Sequence, residues 1–279
     1  MRNSSRIALV LAVALVLSLV SGCGQSAQPA KPAEPPRPQT VTVTVAGSTS
    51  VQPVAEKLAE DFMAKNKDVK INVQGGGSSA GVKAAQTATA DIGTSSRELK
   101  PEEKGLKEFI IAKDGIAIIV HPKNKLENLT LDQVKKVFSG KITNWNDLGQ
   151  PAGAITVVIR EEGSGTRGAF EELIMKEEKC TDKAAVQNST GAVRSTVASN
   201  PNAIGYVSLA GVDQTIKALK MEGVEPTAAN IVAGTYKVSR PFLFLTNEDP
   251  TGAVKQFIEF ALSSEGQDIA AKEHLVKVK

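Results

Sequence analysis

The chain has 279 residues, 41% of them hydrophobic and 23% charged, and a formal net charge of +3. That balance does not mark a nucleic-acid binder, and aromatic residues, at 4%, are too scarce for the stacking platforms of single-strand binders. Two cysteines, Cys23 and Cys180, and two histidines, His121 and His274, do not fall at metal-ligand spacing, so no metal or cofactor is expected.

The N-terminus reads as an export signal over residues 1–22. Arg2 and Arg6 form a positive region, Ile7 to Val20 is apolar apart from Ser18, and Val20-Ser21-Gly22-Cys23 follows. The apolar run is too short for a comfortable membrane span. The small residues before Cys23 resemble the lipobox of bacterial lipoproteins. That resemblance implies cleavage before Cys23 and a lipid on its thiol, tethering the protein to a membrane surface. Cleavage would remove Arg2 and Arg6 and bring the net charge to about +1. Residues 23–40, rich in Pro, Ala and Gln and lacking large apolar side chains, read as an extended tether. Cys180 is then a lone thiol, which excludes an internal disulfide framework and reads as a half-buried small residue.

From Val41 onward one grammar repeats, in which a β-rich run meets a Gly/Ser/Thr turn and then a helical period. "VTVTVAGSTSVQPVAEKLAEDFMAK" is the first case, with Val51, Val54, Leu58 and Phe62 at helical spacing. "VKINVQ" meets "GGGSSAGVKAAQTATA", "ADIG" meets "TSSRELKPEEKGLKEF", and "AITVVIR" meets "EEGSGTRGAFEELIMK". Strands alternating with helices indicate an α/β protein with mostly parallel sheets, whose ligands sit beyond the carboxyl ends of the strands. A helix start offers unpaired N–H groups and a positive dipole end, and Ser and Thr hydroxyls add donors. Each turn alone is an ordinary cap, but four together point to one anion. Gly163, Gly165 and Gly168 also satisfy G-x-G-x-x-G. A dinucleotide site would need an acid at the end of the next strand, and "CTDKAAVQN", which carries Asp182, has no strand character.

Seven stretches in order, "AGSTSVQP", "GGGSSAGVKA", "DIGTSSREL", "IAIIVHPKN", "VFSGKITNWNDLG", "REEGSGTRGAFEEL" and "NPNAIGYVSL", resemble the substrate-binding proteins of the bacterial high-affinity phosphate ABC transporter. The resemblance implies the two-lobed type II periplasmic-binding-protein fold, mostly parallel, with a hinge crossed twice. Lobe one would be residues 41–120 plus 239–279, and lobe two residues 121–238. "DGIAIIVHP" resembles the first crossing strand and "YKVSRPFLFLTN" the return. Trp145 and Phe138 read as packing residues, and "AVKQFIEFALSSEGQDIAAK" as a helix pair facing the core.

The family's ligand residues carry over to Thr49, Ser50, Ser78, Ser96, Arg160, Ser164, Gly165 and Thr166, with Arg97 and Arg167 beside the site. Ser50 stands where some relatives have a bulky residue. Ser96 stands where well-known members have an aspartate that accepts the proton of hydrogen phosphate, and Asp91, Glu161 and Glu162 are the acids that could replace it. The resemblance implies a non-enzymatic, monomeric, extracytoplasmic receptor for inorganic phosphate, served by a membrane permease and a cytoplasmic ATPase. The competing ligands are sulfate, molybdate and tungstate. A hydrolase using Ser164 lacks a nearby base, and an adhesion role lacks an apolar or aromatic patch.

Overall fold

The computed structural model describes residues 40–278. The expected signal, Cys23 and all of the expected tether but Thr40 lie outside these residues.

The first unit of the fold is β1 (Val41–Gly47), α1 (Gln52–Lys65), β2 (Val69–Gly75), α2 (Ser78–Gln86) and β3 (Ile92–Ser95). The third expected helix does not form. After β3 comes one short 3-10 turn, Pro101–Glu103, and then the long strand β4 (Lys107–Val120). Pro101 and Gly105, the latter at φ +109°, break the helical period there.

The middle of the chain supplies β5 (Asn128–Leu129), α3 (Leu131–Phe138), β6 (Thr156–Arg160) and α4 (Gly165–Phe170). It continues with β7 (Ala185–Gln187), α5 (Thr190–Ser199), β8 (Ala203–Ser208), β9 (Lys217–Ala218), β10 (Lys220–Met221) and α6 (Ala228–Val232). The return is β11 (Ser239–Thr246), followed by α7 (Gly252–Ala261) and α8 (Ser264–Lys272). "CTDKAAVQN" therefore does hold a strand, β7, but Asp182 precedes it, which is the wrong end for a ribose contact.

One sheet runs in the order β2-β1-β3-β11-β4-β8-β6-β7. The ladders β1 to β2, β1 to β3, β6 to β7 and β6 to β8 are parallel. Every antiparallel ladder involves β4 or β11. Each lobe is thus a parallel α/β layer, and the antiparallel pair β4 and β11 joins them.

Two apolar clusters mark the lobes. Val43, Leu58, Phe62, Ile92, Phe244 and Phe257 belong to the first, with α7 and α8 covering it. Val134, Phe138, Trp145, Phe170 and Tyr206 belong to the second, where Phe170 stacks on Tyr206 at 4.0 Å between centroids. Each such side chain contributes roughly 1.5–3 kcal/mol by leaving water. Along β4 the core changes hands early. Ile111 and Ala112 face the first cluster, whereas Ile116, Ile118 and Val120 face the second. The change falls at the start of the expected crossing strand "DGIAIIVHP", beyond which β4 runs on beside β8.

At that crossing Asp114 is fully buried and accepts from Arg240 Nε (3.0 Å) and Nη2 (2.9 Å), Ser208 Oγ (2.8 Å) and Leu209 N–H (3.1 Å). Burial pushes its carboxyl above the usual value, against the pull of Arg240. Four donors satisfy the carboxylate and fasten both crossing strands to the end of β8.

Candidate functional site

The site is built at the strand ends. β1 terminates at Gly47, at φ +141°, where a Cβ would lie 2.4 Å from Thr94 O. Only glycine lets β1 and β3 end this close together. Ser48 Oγ then accepts from the N–H groups of Ser50 (3.2 Å) and Val51 (3.4 Å), opening α1, and donates to Ser96 Oγ at 2.9 Å. Ser78 opens α2, and its Oγ accepts from Ser96 N–H at 3.1 Å. Ser50, Ser78 and Ser96 are all buried.

The second lobe brings Arg160 at the end of β6, only 2% exposed. Its Nε and Nη2 donate to the two oxygens of Glu161, each at 2.8 Å, and Nη1 donates to Thr190 Oγ1 at 3.3 Å. The Arg160 N–H donates to the phenol oxygen of Tyr206 at 3.2 Å, so the aromatic stack beneath the sheet also fixes the strand end. Ser164 caps α4 by accepting from Arg167 N–H at 3.2 Å, which leaves Gly165 and Thr166 buried in the first turn.

The lobes meet at these groups. Ser50 Oγ lies 2.8 Å from Thr166 Oγ1 and 2.8 Å from Thr190 Oγ1. Ser79 N–H donates to Gly163 O at 3.0 Å, and Thr190 N–H to Thr49 Oγ1 at 3.2 Å. A Cβ on Gly165 would come within 2.2 Å of Ser78 Oγ and 2.8 Å of Ser96 Oγ. All eight residues named from the resemblance therefore gather around one inter-lobe contact.

The flanking arginines are committed to carboxylates. Arg97 donates to Ser79 Oγ at 3.3 Å and to Glu103 at 2.6 and 2.8 Å, and the bonds to Glu103 hold its carboxyl below the usual range. Arg167 Nε donates to Glu171 at 2.7 Å, and its Nη1 to Arg160 O at 3.2 Å. Both arginines bind protein groups rather than standing as free cations. The three candidate acids separate as well. Asp91 accepts from Thr44 N–H on β1, Glu162 is exposed, and Glu161 is the one against Arg160.

Ser48, Thr190 and Tyr206 also bond to residues of this contact, to Ser96, Ser50 and Arg160, and the sequence motifs do not single them out. Ser48 and Tyr206 sit inside quoted motifs, whereas Thr190 follows β7, whose three residues are too few to show a strand period. Among the described residues no group of three or more His, Cys, Asp or Glu could hold a metal, and no helix is long and apolar enough to cross a membrane.

The model of the PBP superfamily domain matches residues 32–265. The chain belongs to this superfamily. The phosphate-binding protein PstS of Bacillus subtilis (strain 168) is 30% identical over 274 residues, spanning 95% of this chain and 91% of the relative. That of Staphylococcus epidermidis (strain ATCC 35984) is 34% identical over 79% of this chain and 74% of the relative. Among solved structures, a putative phosphate ABC transporter substrate-binding protein with bound phosphate from Clostridium perfringens is 50% identical, with a TM-score of 0.83 over 85% of this chain and all of that one. An ABC-type phosphate transport receptor from Vibrio cholerae is 36% identical, with a TM-score of 0.70 over 84% of this chain and 99% of that one. The two-lobed periplasmic-binding-protein fold and membership among these phosphate-binding proteins follow from the same matches.

Proposed function

We propose that this protein is an extracytoplasmic receptor that binds inorganic phosphate between its lobes and delivers it to an ABC-type importer, through a membrane permease and a cytoplasmic ATPase. The observation that carries this reading is the buried Arg160 amid serine and threonine hydroxyls contributed by both lobes. A lipid on Cys23 would hold the receptor, as a monomer, at the membrane surface.

Binding follows from the donors. Thr49, Ser50, Ser78, Ser96, Arg160, Ser164, Gly165 and Thr166 supply hydroxyl, guanidinium and backbone donors, which do not require the anion to give up its charge. Micromolar affinity needs about 8 kcal/mol after an association cost of about 4–15 kcal/mol, and a hydrogen bond to a charged group contributes roughly 1.5–3 kcal/mol. About ten such bonds meet that requirement. Because the donors are divided between lobes, the anion favours the arrangement in which the lobes touch, and a permease can read that arrangement. No turnover is part of this role. Ser164 Oγ is engaged as a helix cap, and His121 Nδ1 accepts from Lys123 N–H.

Ser96, where an acid would reject fully ionised anions, favours a second reading as a receptor for sulfate, molybdate or tungstate. Calorimetric titration with phosphate and then sulfate, after unfolding and refolding to strip carried ligand, separates the two. Tight phosphate binding that excess sulfate does not displace is the expected result. Equal binding of both would make the protein a general tetrahedral-oxyanion receptor, and binding of neither would remove the proposal.

A further inference from the structure

Four helix starts converge on the inter-lobe contact, and the fourth is that of α5 rather than of the segment after β3. Thr190, its first residue, is 6% exposed. Its hydroxyl therefore depends on protein groups or ligand for hydrogen bonds. The neighbours it has are Ser50 Oγ at 2.8 Å, Arg160 Nη1 at 3.3 Å and Thr49 Oγ1 at 3.5 Å, all three on residues placed in the anion site above. We infer that Thr190 is itself a ligand of the bound oxyanion, contributed by a helix outside the motifs that carry the family resemblance; the inference rests on the oxyanion-receptor reading.

The geometry makes Thr190 the counterpart of Thr166. β6 and β7 are parallel neighbours, with Arg160 opposite Gln187, and each is followed by a helix that starts with a threonine in its first turn. The two threonine hydroxyls both lie 2.8 Å from Ser50 Oγ, so Thr166, Ser50, Thr190 and Arg160 form one continuous chain of polar groups across both lobes. Serine and threonine hydroxyls rotate freely and each has one proton to give. An anion reaching this chain replaces hydroxyl-to-hydroxyl sharing with hydroxyl-to-oxyanion bonds, which are about twice as strong. The backbone of Thr190 is already fixed by its N–H bond to Thr49, and Ser189 caps the helix through Ala192 N–H. The side chain is thus the part of Thr190 left to ligate. The short side chain of Ser50 lets Thr190 Oγ1 approach its hydroxyl to 2.8 Å.

Thr190→Val keeps the shape and removes the hydroxyl, while Thr190→Ser restores it. In calorimetric titration with phosphate, Thr190→Val is expected to bind at least tenfold more weakly than the parent, and Thr190→Ser within threefold of it. Solution scattering at saturating phosphate is expected to give the valine variant the same radius of gyration as the parent. Valine binding within twofold of the parent would overturn the inference. So would a valine variant that remains extended at saturation, since Thr190 would then be a latch between lobes and not a ligand. If the parent binds sulfate in place of phosphate, the same comparison is made with sulfate. If the parent binds neither, the receptor reading fails together with the inference, an outcome distinct from failure at Thr190 alone.

Discussion

At the scale of single residues, Arg160 and Cys180 show how surroundings decide what a reactive side chain can do. Arg160 is a permanent cation held flat by two bonds to Glu161 and one to Thr190, so its remaining N–H groups are preorganised. Arg160→Ala is expected to weaken phosphate binding at least tenfold by calorimetry, because it deletes those donors and leaves Glu161 beside the anion without its counter-charge. Unchanged affinity would remove Arg160 from the site. Cys180 is the opposite case. Burial, reinforced by the charge of Glu171, pushes its thiol up to about 11, so at pH 8 only about one molecule in a thousand carries the thiolate. A chromogenic disulfide reagent at that pH is expected to react with the native protein on the order of a hundredfold more slowly than with the unfolded chain.

At the scale of elements, the contact between lobes is made by helix starts rather than by helix faces, and glycine is what lets them approach. Gly165 lies in the first turn of α4, where alanine favours the helix by up to about 1 kcal/mol. Its Cβ, however, would strike Ser78 and Ser96 on the other lobe. Gly165→Ala should therefore leave the unfolding temperature unchanged or slightly higher while reducing phosphate affinity at least tenfold. Normal affinity would show that the lobes need not meet this closely. These starts were largely legible in the sequence because each couples a β-branched run to a Gly/Ser/Thr turn, a pattern that depends only on neighbouring residues. The failures share a cause. The helix expected after β3 was broken by Pro101 and Gly105 within an otherwise plausible period, and the start at Thr190 was hidden because β7 gains its strand character from pairing with β6 rather than from its own three residues. Ser48 and Tyr206 belong to the site through bonds to Ser96 and Arg160, partners 48 and 46 positions away, and no local spacing reports such distances.

For the whole molecule, the two crossing strands carry the connection, and the buried pair of Asp114 and Arg240 fastens them. Burial opposes both charges, pushing Asp114 up and Arg240 down, and Arg240 Nη1 has no hydrogen-bond partner. Removing one member leaves the other buried and unmatched, which typically costs about 3–5 kcal/mol. For Asp114→Ala this predicts a fall in unfolding temperature of roughly 6–20 °C by calorimetric scan, while Asp114→Asn, which keeps an acceptor oxygen, should fall by less. The same crossing has a consequence for the order of assembly. β11 lies between β3 and β4 in the sheet, so the early segment ending in β4 cannot finish its layer until Ser239–Thr246 arrives. Between them lies the second lobe, one continuous stretch whose strands β6, β7 and β8 pair only with each other and β4. A chain emerging from its N-terminus can therefore build the later lobe first and must hold the earlier one open, paying the loop-closure entropy of that long excursion once, when β11 docks.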